Sequence, residues 1–361
     1  MKILHVEAGR FLYGGARQVL YIMEGLQQLG ISNVLACPPG SDIAQAARHV
    51  AQVHEIPMKG DVDIGLVRRL KNVIRQTHPD LVHLHSRRGA DVWGGVAALK
   101  MQVPSVLSRR VDNPENAWWA QCKYRLYDHV IAISEGIRQV LLSEGIEAEH
   151  VTCVRSAVDA APYLHAVERD AFAKEFGIPQ DSLVIGVVAQ LIERKGHRYL
   201  LEAMPAILAR FPNVQVLFFG KGPLHDELLQ LIEQQGLTAQ VHLAGFRTDL
   251  PQWLGGLDLL VHPADMEGLG VSLLQAAAAA VPVIASAAGG LPEAVADKKT
   301  GILIPPGDIP ALTAAIIELL ANPALRHQYG QAGRARVLAE FSVNAMVQGN
   351  LNVYRKILNR G

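Results

Sequence analysis

Short apolar segments alternate with longer stretches of helical periodicity along the whole chain. The segments are rich in β-branched residues, which is typical of buried strands in a parallel sheet. Six of them lie in the first half, at 3–6, 33–36, 81–84, 105–107, 130–133 and 151–154. Six more lie in the second half, at 183–188, 214–219, 241–244, 257–261, 281–285 and 302–304. The pattern predicts an α/β protein with two parallel sheets, built one after the other.

A break between the two series indicates a domain boundary. Residues 156–179 combine prolines, a charged helical stretch and a Gly-Ile-Pro turn signal. We therefore predict an N-terminal Rossmann-like domain at 1–165 and a C-terminal one at 166–341, with their sheets facing across a ligand-binding cleft. At 342–361, apolar residues at helical spacing predict a last helix that crosses back to the N-terminal domain.

The charge balance argues against a nucleic-acid partner. Lys plus Arg and Asp plus Glu both number 34, so no strongly basic surface is expected. The stretch 68–138 is locally basic, and its pairs include Arg87-Arg88. This stretch favours an anionic partner, and its basic helix at 68–75 either lies on an anionic membrane or presents a solvated face.

Cysteine and hydropathy patterns predict a cytoplasmic location. The three cysteines are far apart in sequence, which indicates free thiols in a reducing compartment. No apolar run reaches the roughly 18 residues of a spanning helix, and no signal-peptide pattern opens the chain. Peripheral contact with the cytoplasmic face of an inner membrane remains open.

Three loops that follow predicted strands carry candidate chemistry. Gly14-Gly15 precedes a helix whose first N–H groups favour an anion, although such a pair also serves a tight turn. The G-x-G-x-x-G fingerprint of nicotinamide enzymes is absent there, which disfavours a dehydrogenase.

Arg194-Lys195-Gly196 either holds a diphosphate or begins a solvated helix. Glu267 precedes Gly268, Leu269, Gly270 and Val271, so a carboxylate for sugar hydroxyls lies beside backbone donors for phosphate; a helix-start charge is the alternative.

An ordered series of motifs spans the second half. They are RKG at 194–196, FGKGP at 219–223, LAGFR at 243–247, EGLG at 267–270, PVIA at 282–285, GGLPE at 289–293 and TGILIPPGD at 300–308. In order and spacing they resemble the donor domain of retaining family-4 glycosyltransferases of the GT-B fold (glycosyl transferases group 1). The first half resembles the family more loosely, through Gly14-Gly15, DLVHLH at 80–85, IAIS at 131–134 and Val158-Asp159.

The resemblance implies roles for individual residues. Arg194 and Lys195 would bind the donor diphosphate, Glu267 would contact the transferred sugar, and the turn with Phe246 and Arg247 would border the base. The remaining donor contacts implied are Gly14, Gly15, Gln190, Gly220, Gly268, Leu269, Gly270, Val271 and Gln275.

Three positions depart from the family pattern. Gln275 stands where a second glutamate usually holds the ribose, and Gln190 stands where an arginine is frequent, which leaves the phosphate to Arg194 and Lys195. Arg110 stands near the usual position of a histidine that contacts the transferred sugar. Arg110 would make that catalytic contact, or Arg109 and Arg110 would grip an anionic acceptor, with His85 as an alternative acceptor contact.

An aromatic cluster accompanies this region. Trp118, Trp119, Tyr124 and Tyr127 fall on or near one predicted helix. We expect them to pack in the core; stacking on a sugar ring or contact with lipid is the alternative.

The expected activity is transfer, with retention, of a sugar from a UDP- or GDP-linked donor to a glycan or glycolipid, in biosynthesis of a bacterial surface glycan such as lipopolysaccharide. Cations and amides take the place of a metal, so neither metal nor cofactor is expected. The alternatives are a nucleotide-sugar epimerase or hydrolase, and a non-catalytic protein that binds nucleotide sugars, to which Gln190 and Gln275 point.

Overall fold

The computed structural model describes residues 1–12, 14–85, 89–111 and 113–359. Arg87 and Arg88, part of the predicted basic stretch, lie outside the described residues. Before residue 158 the strands and helices alternate as the apolar pattern predicts, with one strand at 52–55 that the pattern did not predict. They are β1 (Lys2–Val6), α1 (Gly14–Gln28), β2 (Ser32–Cys37), α2 (Asp42–Ala46), β3 (Gln52–Glu55), α3 (Gly65–Thr77), β4 (Leu81–Leu84), α4 (Ala90–Met101), β5 (Ser105–Arg109), α5 (Ala117–Tyr124), β6 (His129–Ala132), α6 (Glu135–Ser143) and β7 (Val151–Cys153).

The alternation resumes in the second half and ends in a group of helices. The elements are α7 (Arg169–Phe176), β8 (Val184–Val188), α8 (His197–Leu208), β9 (Gln215–Phe219), α9 (His225–Gln234), β10 (Val241–Gly245), α10 (Leu250–Trp253), β11 (Leu259–His262), α11 (Val271–Ala278), β12 (Val283–Ser286), α12 (Leu291–Ala294), β13 (Gly301–Ile304), α13 (Ile309–Ala321), α14 (Pro323–Glu340) and α15 (Val343–Leu358).

The chain divides into two compact units, each with its own parallel sheet. The N-terminal unit comprises Met1–Ala157 with Val343–Gly361, and the C-terminal unit comprises Val158–Ser342. The strand orders are β3-β2-β1-β4-β5-β6-β7 and β10-β9-β8-β11-β12-β13. In both sheets the first strand of the unit is central: the next two strands lie on one side of it and the later strands on the other. This is a Rossmann-like strand order, so the predicted fold class is confirmed. The units separate after Ala157, whereas we predicted a boundary after residue 165; Tyr163 lies in the core of the C-terminal unit.

The last helix completes the N-terminal unit. Met346, Val347 and Leu351 of α15 share a buried cluster with Ile22 and Leu26 of α1. Apolar residues at helical spacing predicted this helix. These apolar residues form the buried face of α15, which explains why they recur at helical spacing along it.

In the described part of the chain, no single helix is long and apolar enough to cross a membrane. The pair α13 and α14, bent by 102°, meets the criteria of length and composition only when taken together.

A buried network of charges fixes the loop that follows β5. The Glu115 carboxylate lies 2.9 Å from the Arg109 guanidinium and 2.5 Å from Lys123 Nζ. Lys123 Nζ also lies 3.3 Å from an oxygen of Asp91, and both cationic side chains are only 2% exposed. Buried charges are stable only when paired, so this loop and the start of α5 are held in one arrangement.

We expect Lys123→Met to reduce the free energy of unfolding by about 3–5 kcal/mol, because Asp91 and Glu115 lose a buried counter-ion. Urea-induced unfolding measures the change. The matched control is Arg48→Met, which breaks the exposed pair between Arg48 and Glu55 and should cost about 0–1 kcal/mol. Equal effects of the two substitutions would contradict the network's role.

Candidate functional site

The strand order of the C-terminal unit brings two of its loops together. β8 and β11 are neighbours in the sheet although far apart in sequence, and they mark the point where the strand order reverses. The loops after both strands therefore emerge side by side at the carboxyl edge, where open α/β sheets bind ligands. A hydrogen bond from Asp265 N to Arg194 O, at 2.9 Å, joins the two loops.

Glu267, in the loop after β11, makes hydrogen bonds or ion pairs with four other described residues. Its Oε2 accepts a hydrogen bond from Lys195 Nζ and lies 3.2 Å from His262 Nε2. Its Oε1 accepts a hydrogen bond from Gly268 N at 3.0 Å. Its carbonyl oxygen accepts one from Gly290 N, in the loop after β12, at 2.9 Å. The structure thus brings the predicted Lys195 and Glu267 into direct contact.

The environment of Glu267 keeps its carboxyl group ionised. Burial alone would raise its pKa, but the hydrogen bond from His262 and the charge of Lys195 outweigh burial and lower the pKa well below its usual value. Because the pKa is lowered on folding, these contacts stabilise the fold above the ordinary pKa of about 4.3, and that stability is lost as the pH falls. The carboxylate is therefore a fixed negative charge at neutral pH.

The two predicted cations differ in exposure. Lys195 ends a 3₁₀ turn (Glu193–Lys195), and its side chain is only 8% exposed. Gly196 follows with φ +69°, and a Cβ there would lie 2.1 Å from Pro263 O, so glycine is required for the loops to meet. Arg194 is exposed, and its side chain has no hydrogen-bond or ion-pair partner among the described residues. Arg194 is thus free to turn toward a ligand.

The start of α11 provides backbone donors beside Glu267. Gly270 is the N-cap residue, and the first turn, which begins at Val271, contains no acidic residue. Such a terminus favours an anion. Leu269 is buried and fills the core beneath the loop. Gln275 lies one turn along α11 and is half-buried.

The other predicted donor contacts lie on loops of the same sheet. Phe246 follows β10, is 51% exposed, and has Lys221 Nζ at 5.1 Å from its ring centroid. Arg247 is instead bound to Asp249 and Glu175, each at 2.6 Å, which raises its pKa further. Gly220 lies close to the backbone just after β8, and a Cβ added at Gly220 would lie 1.8 Å from Ala189 O. Gln190 is exposed at that same end.

In the N-terminal unit, Arg110 lies beside the glycine pair. A Cβ added at Gly15 would lie 3.7 Å from Arg110 Cδ, and α1, which begins at Gly14, has no acidic residue in its first turn. Arg110 Nε is buried without a hydrogen-bond partner among the described residues. An unsatisfied buried donor is costly, so this N–H is available to a ligand.

A chain of hydrogen bonds holds the other side of Arg110. Its Nη2 lies 3.3 Å from His85 Nδ1, His85 Nε2 lies 3.0 Å from His5 Nδ1, and His5 Nε2 lies 3.2 Å from Asn33 Oδ1. Asn33 Nδ2 donates to two backbone carbonyls. Arginine can only donate and the Asn33 oxygen can only accept, so each histidine donates through Nε2 and accepts through Nδ1.

Burial keeps these histidines neutral. It lowers the pKa of His5 to about 4 and the pKa of His85 well below its usual value. Because the pKa values are lowered on folding, stability is lost as the pH falls below the ordinary value near 6.5.

His5, His83 and His85 also have the composition of a three-histidine metal centre, with one ring nitrogen of each within 4.8 Å of the others. His83, however, binds Tyr354 Oη at 2.6 Å and Ser108 Oγ at 2.8 Å, so all six ring nitrogens have protein partners. A guanidinium also lies next to His85. The arrangement favours a hydrogen-bonded chain over a cation site.

Arg109 does not share the setting of Arg110. Successive side chains of a strand point to opposite faces, and Arg109 points into the network with Glu115 and Lys123. Its guanidinium also donates to Val111 O at 2.7 Å and to Asn113 O. The geometry therefore assigns Arg109 to holding the loop after β5 rather than to gripping an acceptor.

The aromatic cluster separates into two kinds of residue. Tyr124 and Tyr127 are buried, as we expected. Trp118 and Trp119 are 72% and 46% exposed, so the expectation that they pack in the core is wrong for them. Their position on the first turn of α5 leaves them outside the hydrophobic face of that helix.

Sequence reasoning missed the residues that support the candidate side chains. These are His262, His5, His83, Asn33 and Tyr354. The signal that could have found them is the recurrence of histidine within otherwise apolar strands, since a buried imidazole requires partners. The pairing of His5 with His83 across β1 and β4 would then have suggested a cluster.

Two protein-family models match the chain. The model described as Glycosyltransferase Family 4 matches residues 13–161, and that described as Glycosyl transferases group 1 matches residues 168–336. Together the two matches extend over most of the chain.

Two curated proteins and a solved structure are similar to it. A GDP-mannose-dependent monoacylated alpha-(1-6)-phosphatidylinositol monomannoside mannosyltransferase of Corynebacterium glutamicum is 34% identical over 55% of this chain and 54% of its own length. The lipopolysaccharide core biosynthesis glycosyltransferase LpsE of Rhizobium meliloti is 25% identical over 98% of both chains. The crystal structure of Anabaena Alr3699/HepE in complex with UDP and glucose superimposes with a TM-score of 0.86 at 21% identity, over 99% of this chain and 100% of that one.

The strand orders of both units agree with that structural likeness, and the motif series agrees with the two family models. The chain therefore belongs to the family-4 glycosyltransferases (glycosyl transferases group 1), which have the GT-B fold.

Proposed function

We propose that this protein transfers a sugar, with retention and without a metal, from a nucleotide-sugar donor to a hydroxyl of a bacterial cell-surface glycan or glycolipid. The observation that carries the proposal is the position of Glu267. Its carboxylate is held by Lys195, His262 and Gly268 N at the carboxyl edge of the C-terminal sheet. Family membership makes sugar transfer the reaction to test first.

The donor half of the reaction follows from the charges at this edge. The nucleoside diphosphate would bind at the first turn of α11, with Lys195 and Arg194 as its cations. Glu267 is then positioned to accept hydrogen bonds from hydroxyls of the sugar, and the exposed ring of Phe246 is available to stack on the base. Gln275, half-buried on α11, would hydrogen-bond the ribose without a charge.

Bond breaking places negative charge on the departing diphosphate. The fixed Lys195 and the helix-start N–H groups stabilise that charge without reorganising, and the exposed Arg194 adds a second cation; a metal makes this contribution in other transferases. The acceptor oxygen would bond to the anomeric carbon on the face from which the diphosphate leaves, as the bond from that carbon to the diphosphate oxygen breaks. The hydroxyl proton would pass to an oxygen of the departing diphosphate, and the anomeric configuration would be retained. Glu267 acts by orienting the sugar for that attack.

The N-terminal unit supplies the groups proposed for the acceptor. Arg110 has a free buried Nε and is oriented by His85, so it can bind a hydroxyl or an anionic group of the acceptor. We retain Arg110 and His85 in this role. We leave out Arg109, because its donors are engaged within the unit.

The relatives suggest both the donor and the acceptor class. The mannosyltransferase relative is named for GDP-mannose and HepE was crystallised with UDP and glucose, so UDP- and GDP-sugars are the donors proposed. LpsE, aligned over nearly the whole chain, acts in lipopolysaccharide core biosynthesis by name. We propose that this protein acts on the same kind of acceptor. We further propose that it does so at the cytoplasmic face of the membrane.

We expect Glu267→Gln and Lys195→Ala each to lower the transfer rate by about 100-fold or more, because each removes a charge that orients sugar or diphosphate. Transfer from a panel of UDP- and GDP-sugars measures this, and circular dichroism checks the fold. The matched control is Glu318→Gln, an exposed carboxylate on α13 away from the carboxyl edge, which should keep full activity. Full activity of both site variants would reject the site.

An assay without acceptor separates transfer from the alternative reactions. A hydrolase or epimerase would consume the donor at an undiminished rate, whereas the proposed transferase would not. Donor binding measured by calorimetry without turnover on any acceptor would identify a non-catalytic protein instead.

We expect His262→Leu to move the acid limb of the kcat/KM profile for the donor to higher pH, because the hydrogen bond from His262 lowers the pKa of Glu267. His262→Gln keeps a donor and should restore much of the wild-type profile. The pH dependence of initial rates measures both. Superimposable profiles for all three proteins would show that His262 has no influence on Glu267.

A further inference from the structure

Trp118 and Trp119 are exposed aromatic side chains in the first turn of α5, and none of the roles above uses them. They are the second and third residues of α5 and are 72% and 46% exposed. Neither indole N–H has a hydrogen-bond partner among the described residues. Two large aromatic side chains exposed within one helical turn are typical of an interaction site rather than of a solvated surface.

The topology places these tryptophans at the carboxyl edge of the N-terminal sheet. α5 follows β5, and all strand pairs of this sheet are parallel, so α5 begins on the same edge as Arg110 and His85. Arg110 is the residue directly after β5. A short loop therefore leads from the proposed acceptor contact to the tryptophans.

The buried charge network holds the tryptophans in place. Glu115, three residues before Trp118, is bound by Arg109 and Lys123, and its N–H donates to a Glu144 oxygen at 2.5 Å. The side chain of Asn116 caps α5 by accepting a hydrogen bond from Trp119 N at 3.3 Å. Because the loop is fixed before any ligand arrives, binding there would cost little conformational entropy.

The charges around the tryptophans favour a neutral ligand. Of the described exposed residues from 113 to 125, Arg125 alone is charged, since Lys123 is buried in ion pairs. A surface that docks on anionic lipid gains about 1 kcal/mol from each nearby Lys or Arg, and the described exposed residues of the segment 113–125 offer one. Its amphipathic rings and free indole N–H groups are suited to a ligand with an apolar C–H face and hydroxyl groups.

We infer that Trp118 and Trp119 form a stacking subsite for a saccharide unit of the acceptor, next to the unit that receives the transferred sugar at Arg110. This inference rests on the proposed function for the identity of the ligand as an acceptor. The subsite explains why Arg109 and Lys123 are buried as charges: they fix the surface on which the acceptor lies. It would make the protein select an acceptor longer than one sugar.

Four indole N–H signals allow a direct binding test on the whole chain. The protein has 4 tryptophans, and Trp93 and Trp253 donate to Asp61 O at 2.8 Å and to Asp249 Oδ2 at 3.1 Å, so they serve as internal controls. Trp118→Phe and Trp119→Phe assign the signals in protein labelled with 15N-tryptophan. The probes are three deacylated core oligosaccharides from bacterial lipopolysaccharides and, separately, phosphatidylglycerol vesicles.

We expect the oligosaccharides, at concentrations on the order of 1 mM, to shift the Trp118 and Trp119 signals while Trp93 and Trp253 stay unchanged. If none of the three shifts either signal, the inference is overturned. If only the vesicles shift them, the surface is a membrane contact and the inference is likewise overturned. The titration contains no donor, so its outcome is independent of whether the protein transfers sugar.

Kinetics with an acceptor identified by the transfer assay provide the second test. Trp118→Ala and Trp119→Ala should each raise the acceptor KM roughly fivefold to tenfold and leave donor affinity unchanged, since stacking on one ring is lost. Trp118→Tyr should recover most of the affinity. Leu99→Ala, which removes another exposed apolar side chain of this unit, should have no effect. An unchanged acceptor KM in both alanine variants would refute the subsite.

Discussion

The half-buried carboxylate of Glu267 is the constraint on which the C-terminal site depends. A carboxylate removed from water is stable only with a counter-ion and hydrogen-bond donors, and here Lys195, His262 and Gly268 N supply them. These partners come from the ends of two strands that are neighbours only because the strand order reverses between β8 and β11. The need to satisfy one charge thereby fixes both loops beside the start of α11.

The N-terminal unit also contains buried polar and charged groups that need partners, and they form two separate sets. On one face of the sheet, neutral histidines with fixed tautomers lead from Asn33 to Arg110. On the other, Arg109 and Lys123 neutralise Glu115 and hold the loop after β5. Arg109 and Arg110, adjacent at the end of β5, thus have different surroundings, because successive side chains point to opposite faces.

Much of the fold and part of the site could be predicted from the sequence. All twelve apolar segments correspond to strands, since strands buried on both faces read as continuous apolar runs. β3 was missed because Gln52–Glu55, at the edge of the sheet, has exposed residues at both ends and only half-buried residues between them, so it lacks a continuous apolar run. The motifs placed Lys195 and Glu267 in one donor site, but their direct contact was not predicted. The burial of Arg109 and the exposure of Trp118 depend on helix packing that residue type does not encode. The histidine chain was missed because each histidine, taken alone, is an ordinary core residue.

The position of a bound donor tests the central claim most directly. A crystal structure of the protein soaked with a UDP- or GDP-sugar should show the diphosphate at the first turn of α11, within hydrogen-bonding distance of Lys195 Nζ, and a sugar hydroxyl on the Glu267 carboxylate. A donor bound elsewhere, with Lys195, Arg194 and Glu267 free of contacts to it, would contradict the account.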